Sequence, residues 1–430
     1  MSGVSDDTTD RPAARVRRWR DDLRLLRQRD LGLVLVSRFV SDLGTGMAPI
    51  ALAFGVLSLP GGDARSLGLV LLCAAVPRLV FFLVGGVLAD RLDRARLMSA
   101  AEWMAAVAQA VAATLFVTGH ATVAALALLA AVNGVAVAFF SPALTGLVPQ
   151  VASDADLQSA NALIRLSGHL ATIVGTVLGG VLVATFGAGW ALAIDAVTFA
   201  FSAVLLSLVR TRSTRGAVGA SLRADLLDGW REFSSRRWVW VIVVLFSLSN
   251  MGFTSALAVL GPVRALESYG GAIGWALVLA SFSAGTVLGV LVAMRVRPQQ
   301  PLLIAMVAQL FVVLPIVAIA PPLPLAAVMA CAFVSGVAID VFEVLWSTTL
   351  QQNIPREALS RVASYDWLGS LALTPIALAA AGALAATIGL SGAIWVSAVL
   401  GAAGTLGFLD PQIRHLRAGP ATRPDPSSPV

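Results

Sequence analysis

Long apolar stretches alternate with short polar breaks along the chain, and each is long enough to cross a hydrocarbon layer about 30 Å thick at about 1.5 Å per residue. The pattern predicts twelve membrane-spanning helices. The first six cover roughly 31–59, 66–89, 97–118, 121–148, 160–186 and 188–209. The second six cover roughly 238–263, 271–294, 301–320, 323–350, 361–388 and 390–409. Residues 1–30 are hydrophilic, and the run that follows is too long for a signal-peptide core. The expected plan is a cytoplasmic segment at 1–30, a six-helix bundle at 31–209, a cytoplasmic linker at 210–237, a second six-helix bundle at 238–409, and a disordered tail at 410–430. The fold class is thus an all-α membrane protein.

Composition agrees. Hydrophobic residues make up 58% and charged residues 13%, too few charges to coat a soluble protein of this length. The chain has no lysine, so a phosphate-binding loop of the P-loop type, and with it ATP-driven pumping by this chain, is excluded. Cys73 and Cys331 lie in apolar runs without ligand-type neighbours, and His120, His169 and His415 lack metal-ligand spacing. No cofactor and no metal are expected.

Arginine positions set the orientation. With residues 1–30 inside, 25 of the 30 arginines fall in inside segments, two (Arg65, Arg264) outside, and three (Arg38, Arg78, Arg165) within spans. Both termini are expected in the cytoplasm, and the basic charge is explained by topology rather than by nucleic-acid binding.

A repeat is also visible. Gly86-Val-Leu-Ala89 and Gly289-Val-Leu-Val292 are 203 residues apart, and Leu157-Gln-Ser-Ala-Asn161 and Leu359-Ser-Arg-Val-Ala363 are 202 apart. With six spans per half, the halves share orientation and enclose a central cleft.

The loop G-V-L-A-D-R-L-D-R-A-R at 86–96 resembles the G-x-x-x-D-R-x-G-R-R loop of the major facilitator superfamily, with Asp93 where many members have glycine. Gly175-Thr-Val-Leu-Gly179-Gly180 is similar to that family's antiporter motif G-P-x-x-G-G, with Thr176 in the proline position. Ser37-Arg-Phe-Val-Ser-Asp-Leu-Gly44 and Gln351-Gln-Asn-Ile-Pro-Arg-Glu-Ala-Leu-Ser-Arg361 resemble the branch of enterobactin exporters and macrolide-efflux proteins. The resemblance implies two six-helix bundles, a latch between halves carried onto Gly86, Asp90, Arg91 and Arg94, and a half-to-half interface at spans 5 and 8.

Ionisable residues inside spans are costly and should face protein, water or a partner. Arg38 and Asp42 are i,i+4 on span 1, and Arg78 sits at a comparable depth on span 2. They are expected to cluster, either as a proton-carrying site or as a static pair locking spans 1 and 2. On span 10, Asp340 and Glu343 are i,i+3 with Trp346 one turn further, which suits a shared proton, a cationic substrate beside an aromatic face, or a polar seam. Glu102, Asp366 and Arg165 lie near inner helix ends and are expected to anchor at the interface. Asp195 has no evident role. His169 is either a packing residue or a proton acceptor.

Gly175, Gly179 and Gly180 on span 5 and Ser281, Gly285 and Gly289 on span 8 form small-residue faces, expected to meet between the halves or to serve general helix packing. Pro49 and Pro375 should bend spans 1 and 11. Asn133, Phe140, Asn250, Met251, Phe253 and Trp346 are cavity candidates for a bulky amphipathic solute.

The expected activity is export of a small amphipathic molecule (a drug, siderophore or other secondary metabolite) by proton antiport, from a monomer in a bacterial plasma membrane. Its partners would be the solute, protons and the lipid bilayer. An importer or facilitator on the same fold is the alternative; an enzyme or receptor is remote, since no catalytic constellation appears.

Overall fold

The computed structural model describes residues 28–153, 156–210, 230–295 and 298–415. The side chains of some helical residues, Gly86, Asp90, Arg356 and Arg361 among them, fall outside the described set, as do most of the expected N-terminal segment, linker and tail. The described residues form helices joined by short turns. The first six are α1 (Arg29–Leu57), α2 (Ala64–Arg91), α3 (Arg94–Val117), α4 (Val123–Val151), α5 (Leu157–Phe186) and α6 (Ala188–Ser207). After the linker come α7 (Arg237–Ser268), α8 (Ala272–Arg295), α9 (Pro301–Ile319) and α10 (Leu325–Asn353). A final helical stretch is divided at Gly389 into α11 (356–388) and α12 (390–409).

Among the described residues eleven helices are long and apolar enough to cross a membrane, and the last of these is 48 residues long. Unbroken, that helix would reach about 72 Å, more than twice the hydrocarbon thickness. Gly389 interrupts it with φ 77° and ψ 163°, a conformation open essentially to glycine alone. Gly187, between α5 and α6, adopts φ 87° and ψ 168°. The two corners are 202 residues apart, so the repeat seen in the sequence reappears in the backbone.

Helix starts are fixed by side-chain caps. Asp63 accepts from the Ser66 amide at 2.8 Å, Asp93 from the Arg96 amide at 2.9 Å, and Thr122 from the Ala125 amide at 3.3 Å. Asp63 lies in the turn before α2, outside the apolar span. The Ser66 amide, with the Ser66 hydroxyl, holds its carboxyl below the usual carboxylate range. A depressed folded-state value stabilises above the ordinary value of about 3.9 and is lost as pH falls through the lower, folded one. Thermal unfolding from pH 6 downward should therefore show the native protein ahead of Asp63→Asn at pH 6, with the gap closing in acid. A constant gap would mean the carboxylate adds nothing to the cap.

Expected bends and ends are adjusted by the structure. α1 runs through Pro49 without a break. In α11 the helix is interrupted between Leu371 and Thr374, immediately before Pro375, whose ring nitrogen has no hydrogen to donate. Span 7 was expected to end near 263, but α7 continues to Ser268 through a π-helical segment, Ser255–Leu260. Arg264 consequently belongs to a helix, not to an open loop. It is buried, donates to Ser391 Oγ at 2.5 Å and Ala320 O at 3.4 Å, and pairs with Glu267 at 2.9 Å. The end of the linker also folds back: Trp230 and Phe233 pack with Tyr365 of α11. The start of the tail is ordered too, since Pro411–His415 is helical, Ile413 is fully buried, and Asp410 pairs with Arg237 at 3.3 Å.

The helices pack in two groups. α1 lies on α5 and α6, α2 on α4, and α3 on α4 and α6; α8 and α9 lie on α10, and α7 on α11 and α12. Between the groups the broad contacts are α5 with α8 and α2 with α11. We take the end holding residues 28 and 415 as inner. At the outer end one apolar core joins both groups, with Ile50, Leu67 and Leu126 continuous with Leu260, Trp275 and Leu378. At the inner end the cores are separate: Phe342, Leu345 and Trp346 belong to a cluster made only by the second group, and Met98 and Leu147 to one made only by the first.

Candidate functional site

Helical spacing places Arg38 directly below Asp42 on α1, and the two form an ion pair. The Arg38 guanidinium also lies 4.9 Å from the centre of the Phe140 ring on α4, a cation–π contact. Asp42 is nearly buried, with Gly168 of α5 against its carboxyl and His169 within electrostatic reach. A side chain at position 168 would displace that carboxyl. Arg78 does not join the expected cluster. It is exposed, with no hydrogen bond or ion pair among the described residues, because α2 turns its packing face to α4 and α11 rather than to α1. Matching depth on two helices does not make their side chains meet.

In the second helix group α10 carries Asp340 and Glu343. Asp340 sits against Gly289 of α8 and leaves Oδ2 without a hydrogen-bond partner. Glu343 is exposed. The cation within electrostatic reach of both is Arg165 of α5, from the opposite helix group. Arg165 is exposed near the inner end of α5, where the sequence places it. Trp346, expected to line the cavity, is 5% exposed and belongs to the inner core. Its indole donates to Asp366 Oδ2 at 3.0 Å and meets Trp238 edge-on. Asp366 is thereby fixed to α10 instead of anchoring at a membrane surface.

Most small residues expected between the halves pack within one half. Gly175 and Gly179 let α5 approach Leu43, Gly46 and Met47 of α1, and Gly285 and Gly289 let α8 approach Phe333, Gly336 and Val337 of α10. Ser281 turns its hydroxyl onto Leu277 O of its own helix at 2.8 Å. Gly180 does reach across, against Ala272, Ile273 and Ala276 of α8. Of the cavity candidates, Asn133 and Met251 are half-buried and Phe253 packs on Phe282 of α8 with ring centres 5.5 Å apart. Asn250 spends its amide on α11, donating to Ser370 O at 3.3 Å and Thr374 Oγ1 at 3.4 Å, across the break before Pro375.

The site is therefore an ion pair on α1, and Arg165 of α5 within electrostatic reach of Asp340 and Glu343 of α10, set where the inner cores of the two helix groups are separate. The family model described as Major Facilitator Superfamily matches residues 34–370. The chain belongs to the major facilitator superfamily. Among curated relatives, the multidrug efflux pump Tap of Mycolicibacterium fortuitum is 29% identical over 380 residues, covering 83% of this chain and 90% of the relative. The enterobactin exporter EntS of Citrobacter koseri is 26% identical over 334 residues, covering 76% and 79%. The crystal structure of the nucleoside transporter NupG aligns with TM-score 0.69 at 14% identity, covering 88% of this chain and 97% of that one. A bacterial homologue of the iron transporter ferroportin, in an inward-facing state, aligns with TM-score 0.70 at 16% identity, covering 90% and 98%. These relatives are transporters, not enzymes, and this chain is a multi-pass membrane transporter with efflux-pump homologues.

Two departures from the superfamily's motifs have structural reasons. Thr176, in the proline position of the antiporter motif, donates to Gly46 O at 3.1 Å and ties α5 to α1, a bond proline cannot make. Asp93, in a glycine position, caps α3. Arg94 donates to Gly146 O at 2.5 Å, linking the start of α3 to the inner end of α4, while Arg91 is exposed. Among the described residues, no three His, Cys, Asp or Glu side chains are grouped to hold a metal.

Two buried acids escaped sequence reasoning. Glu102 of α3 is 3% exposed and accepts at Oε1 from Ser41 of α1 at 2.9 Å and Ser202 of α6 at 3.1 Å. Asp195 of α6, with no exposure, accepts from Gln109 of α3 at 2.6 Å. The available signal was the recurrence of isolated polar residues at matching depths on apolar helices 3 and 6.

Proposed function

We propose that the chain exports a bulky amphipathic small molecule from a bacterial cytoplasm by proton antiport and alternating access, acting as a monomer. The observation that carries this reading is the placement of Arg165 within electrostatic reach of Asp340 and Glu343, between helix groups that share a core only at the outer end. Acids facing an open inner cleft suit proton release and reloading there, while the continuous outer core seals the other side. Counting the helix broken at Gly389 as two crossings gives twelve spans and puts both termini, with their arginines, in the cytoplasm. The bundles are then 31–209 and 238–409. The solute and protons are the partners, and nucleic acid has no place in the mechanism. Asp90 and Arg91 supply the latch between halves in the outward-open state.

A proton moving inward across 100 mV releases about 2.3 kcal/mol, enough to hold a concentration ratio near fifty-fold. Exchanged one for one with a proton, the cation ethidium moves no net charge, so inside-out vesicles with a lumen about two pH units more acidic than the medium should concentrate it up to roughly a hundredfold. An uncoupler, or the double variant Asp340→Asn/Glu343→Gln at equal protein level, should bring the ratio to about one. Accumulation that ignores the uncoupler would rule out proton coupling, and uptake only into right-side-out vesicles would make the protein an importer.

A further inference from the structure

The two structural repeats build the same three-helix junction from different chemistry. In the first half Glu102 of α3 is held by Ser41 of α1 and Ser202 of α6. In the second, Gln309 of α9 donates to Ser249 of α7 at 3.0 Å and packs against Gly404, beyond α12's regular turns. Gly404 stands 202 residues after Ser202, the repeat offset. An amide thus suffices to pack this junction, and in the first half an acid stands where packing does not require one.

That acid is incompletely satisfied. Its Oε2 is buried with no hydrogen-bond partner, and the Nε of Arg38, also buried, has none either. Arg38 and Asp42 are both within electrostatic reach of Glu102. An unused donor and an unused acceptor thus sit in one neighbourhood, while the Arg38 guanidinium is engaged with Asp42. The other titratable groups around the junction are Asp195 of α6, bonded to Gln109, and His169 of α5, within electrostatic reach of Asp42.

We propose that Glu102 is a proton-carrying residue of the transport cycle and that Arg38 alternates between Asp42 and Glu102, pairing with whichever acid is ionised. The inference extends the proton-coupled reading above. In the arrangement seen here Arg38 is with Asp42, and Glu102 holds a proton on its carboxyl. When Arg38 swings to Glu102, the Glu102 carboxylic O–H breaks and its proton passes to water, while Asp42, left without its counter-ion, forms an O–H with a proton from hydronium; the reverse step breaks the Asp42 O–H to water and reprotonates Glu102 from hydronium. Because Arg38 and Ser41 both belong to α1, the exchange shifts the helix that lies on α5 and α6.

Infrared difference spectroscopy on the full chain in lipid nanodiscs, without solute or gradient, tests this directly. The native protein should show the carbonyl stretch of a protonated, hydrogen-bonded carboxylic acid, absent in Glu102→Gln, a variant whose packing Gln309 already exemplifies. The same band should vanish in Asp42→Asn at unchanged pH, because Arg38 then has only Glu102 to pair with. If Glu102→Gln does not fold, glutamate labelled with carbon-13 should lower the frequency of the native band and Ser202→Ala, removing one hydrogen bond, should raise it. Acid-carbonyl intensity that is left unchanged by Glu102→Gln or Asp42→Asn, or that answers to neither label nor Ser202→Ala, overturns the proposal, whereas intensity from Asp195, Asp340, Glu343 and Asp366 persists in every variant. Ethidium accumulation is scored separately. If the native vesicles do not pump while the band behaves as stated, the exporter reading fails and the protonation site stands. If they pump and the band does not, the site alone fails.

Discussion

Replacing Asp42 and Glu102 together, as Asp42→Asn/Glu102→Gln, should destabilise the protein by about 3–5 kcal/mol, the cost of leaving a buried charge uncompensated. Arg38 is mostly buried between α1 and α4 and has Phe140 as its one other attractive neighbour among the described residues. Either single replacement should cost clearly less, because the remaining acid is available to the guanidinium. The cycle is therefore strongly non-additive, with a coupling of roughly 1–3 kcal/mol, as for residues in one network. Adding Arg38→Met to the double variant should restore most of the stability, since an apolar side chain of similar length needs no counter-ion, and should leave gradient-driven transport absent. Thermal unfolding in detergent together with ethidium accumulation separates the two effects. Additive single costs would make the pair a fixed lock between α1 and its neighbours.

A leucine at Gly285 should have a comparably large effect for a different reason. A Cβ at that position would already collide with the Phe333 carbonyl and approach the Gly336 backbone, and neither can move without moving α10. Overpacking a core usually costs about 1–3 kcal/mol, and the upper end applies when the obstacle is backbone rather than a flexible side chain. Gly285→Leu should therefore yield little folded protein by size-exclusion chromatography, and what survives should transport poorly because α10 carries Asp340 and Glu343. Leu288→Ala, on the exposed side of the same helix, is the control and should behave as the native protein. Normal yield and transport for Gly285→Leu would mean that α8 and α10 separate in the functional state.

The features legible in the sequence were those set by one helix at a time. Span positions, the repeat and the Arg38–Asp42 pair follow from hydropathy, offset and i,i+4 geometry; the structure shows the pair and, among the described residues, eleven membrane-capable helices, with α7 running past its expected end. What a single helix cannot report is its partner. Gly175, Gly179, Gly285 and Gly289 share a face with their neighbours in sequence as expected, but periodicity does not say whether that face meets the other half or a sister helix. Trp346 was one turn beyond two acids, yet its ring points into a core with Trp238. For Glu102 and Arg165 the sequence gives only a distance to a helix end. One is held by hydroxyls from α1 and α6, and the other lies within electrostatic reach of acids on α10, relations that exist only after the helices are assembled.

The glycine corners at 187 and 389 join helix to helix through a single residue. α5 and α11 contact the opposite group, whereas α6 and α12 expose Val197, Phe201, Trp395 and Val399 on their outer faces. With no slack at either corner, a tilt of an inner helix is passed to its outer neighbour, which must then re-match its apolar length to the surrounding lipid. Acyl-chain length therefore enters the energy difference between the open and closed arrangements, at fractions of a kcal/mol per Å of mismatch.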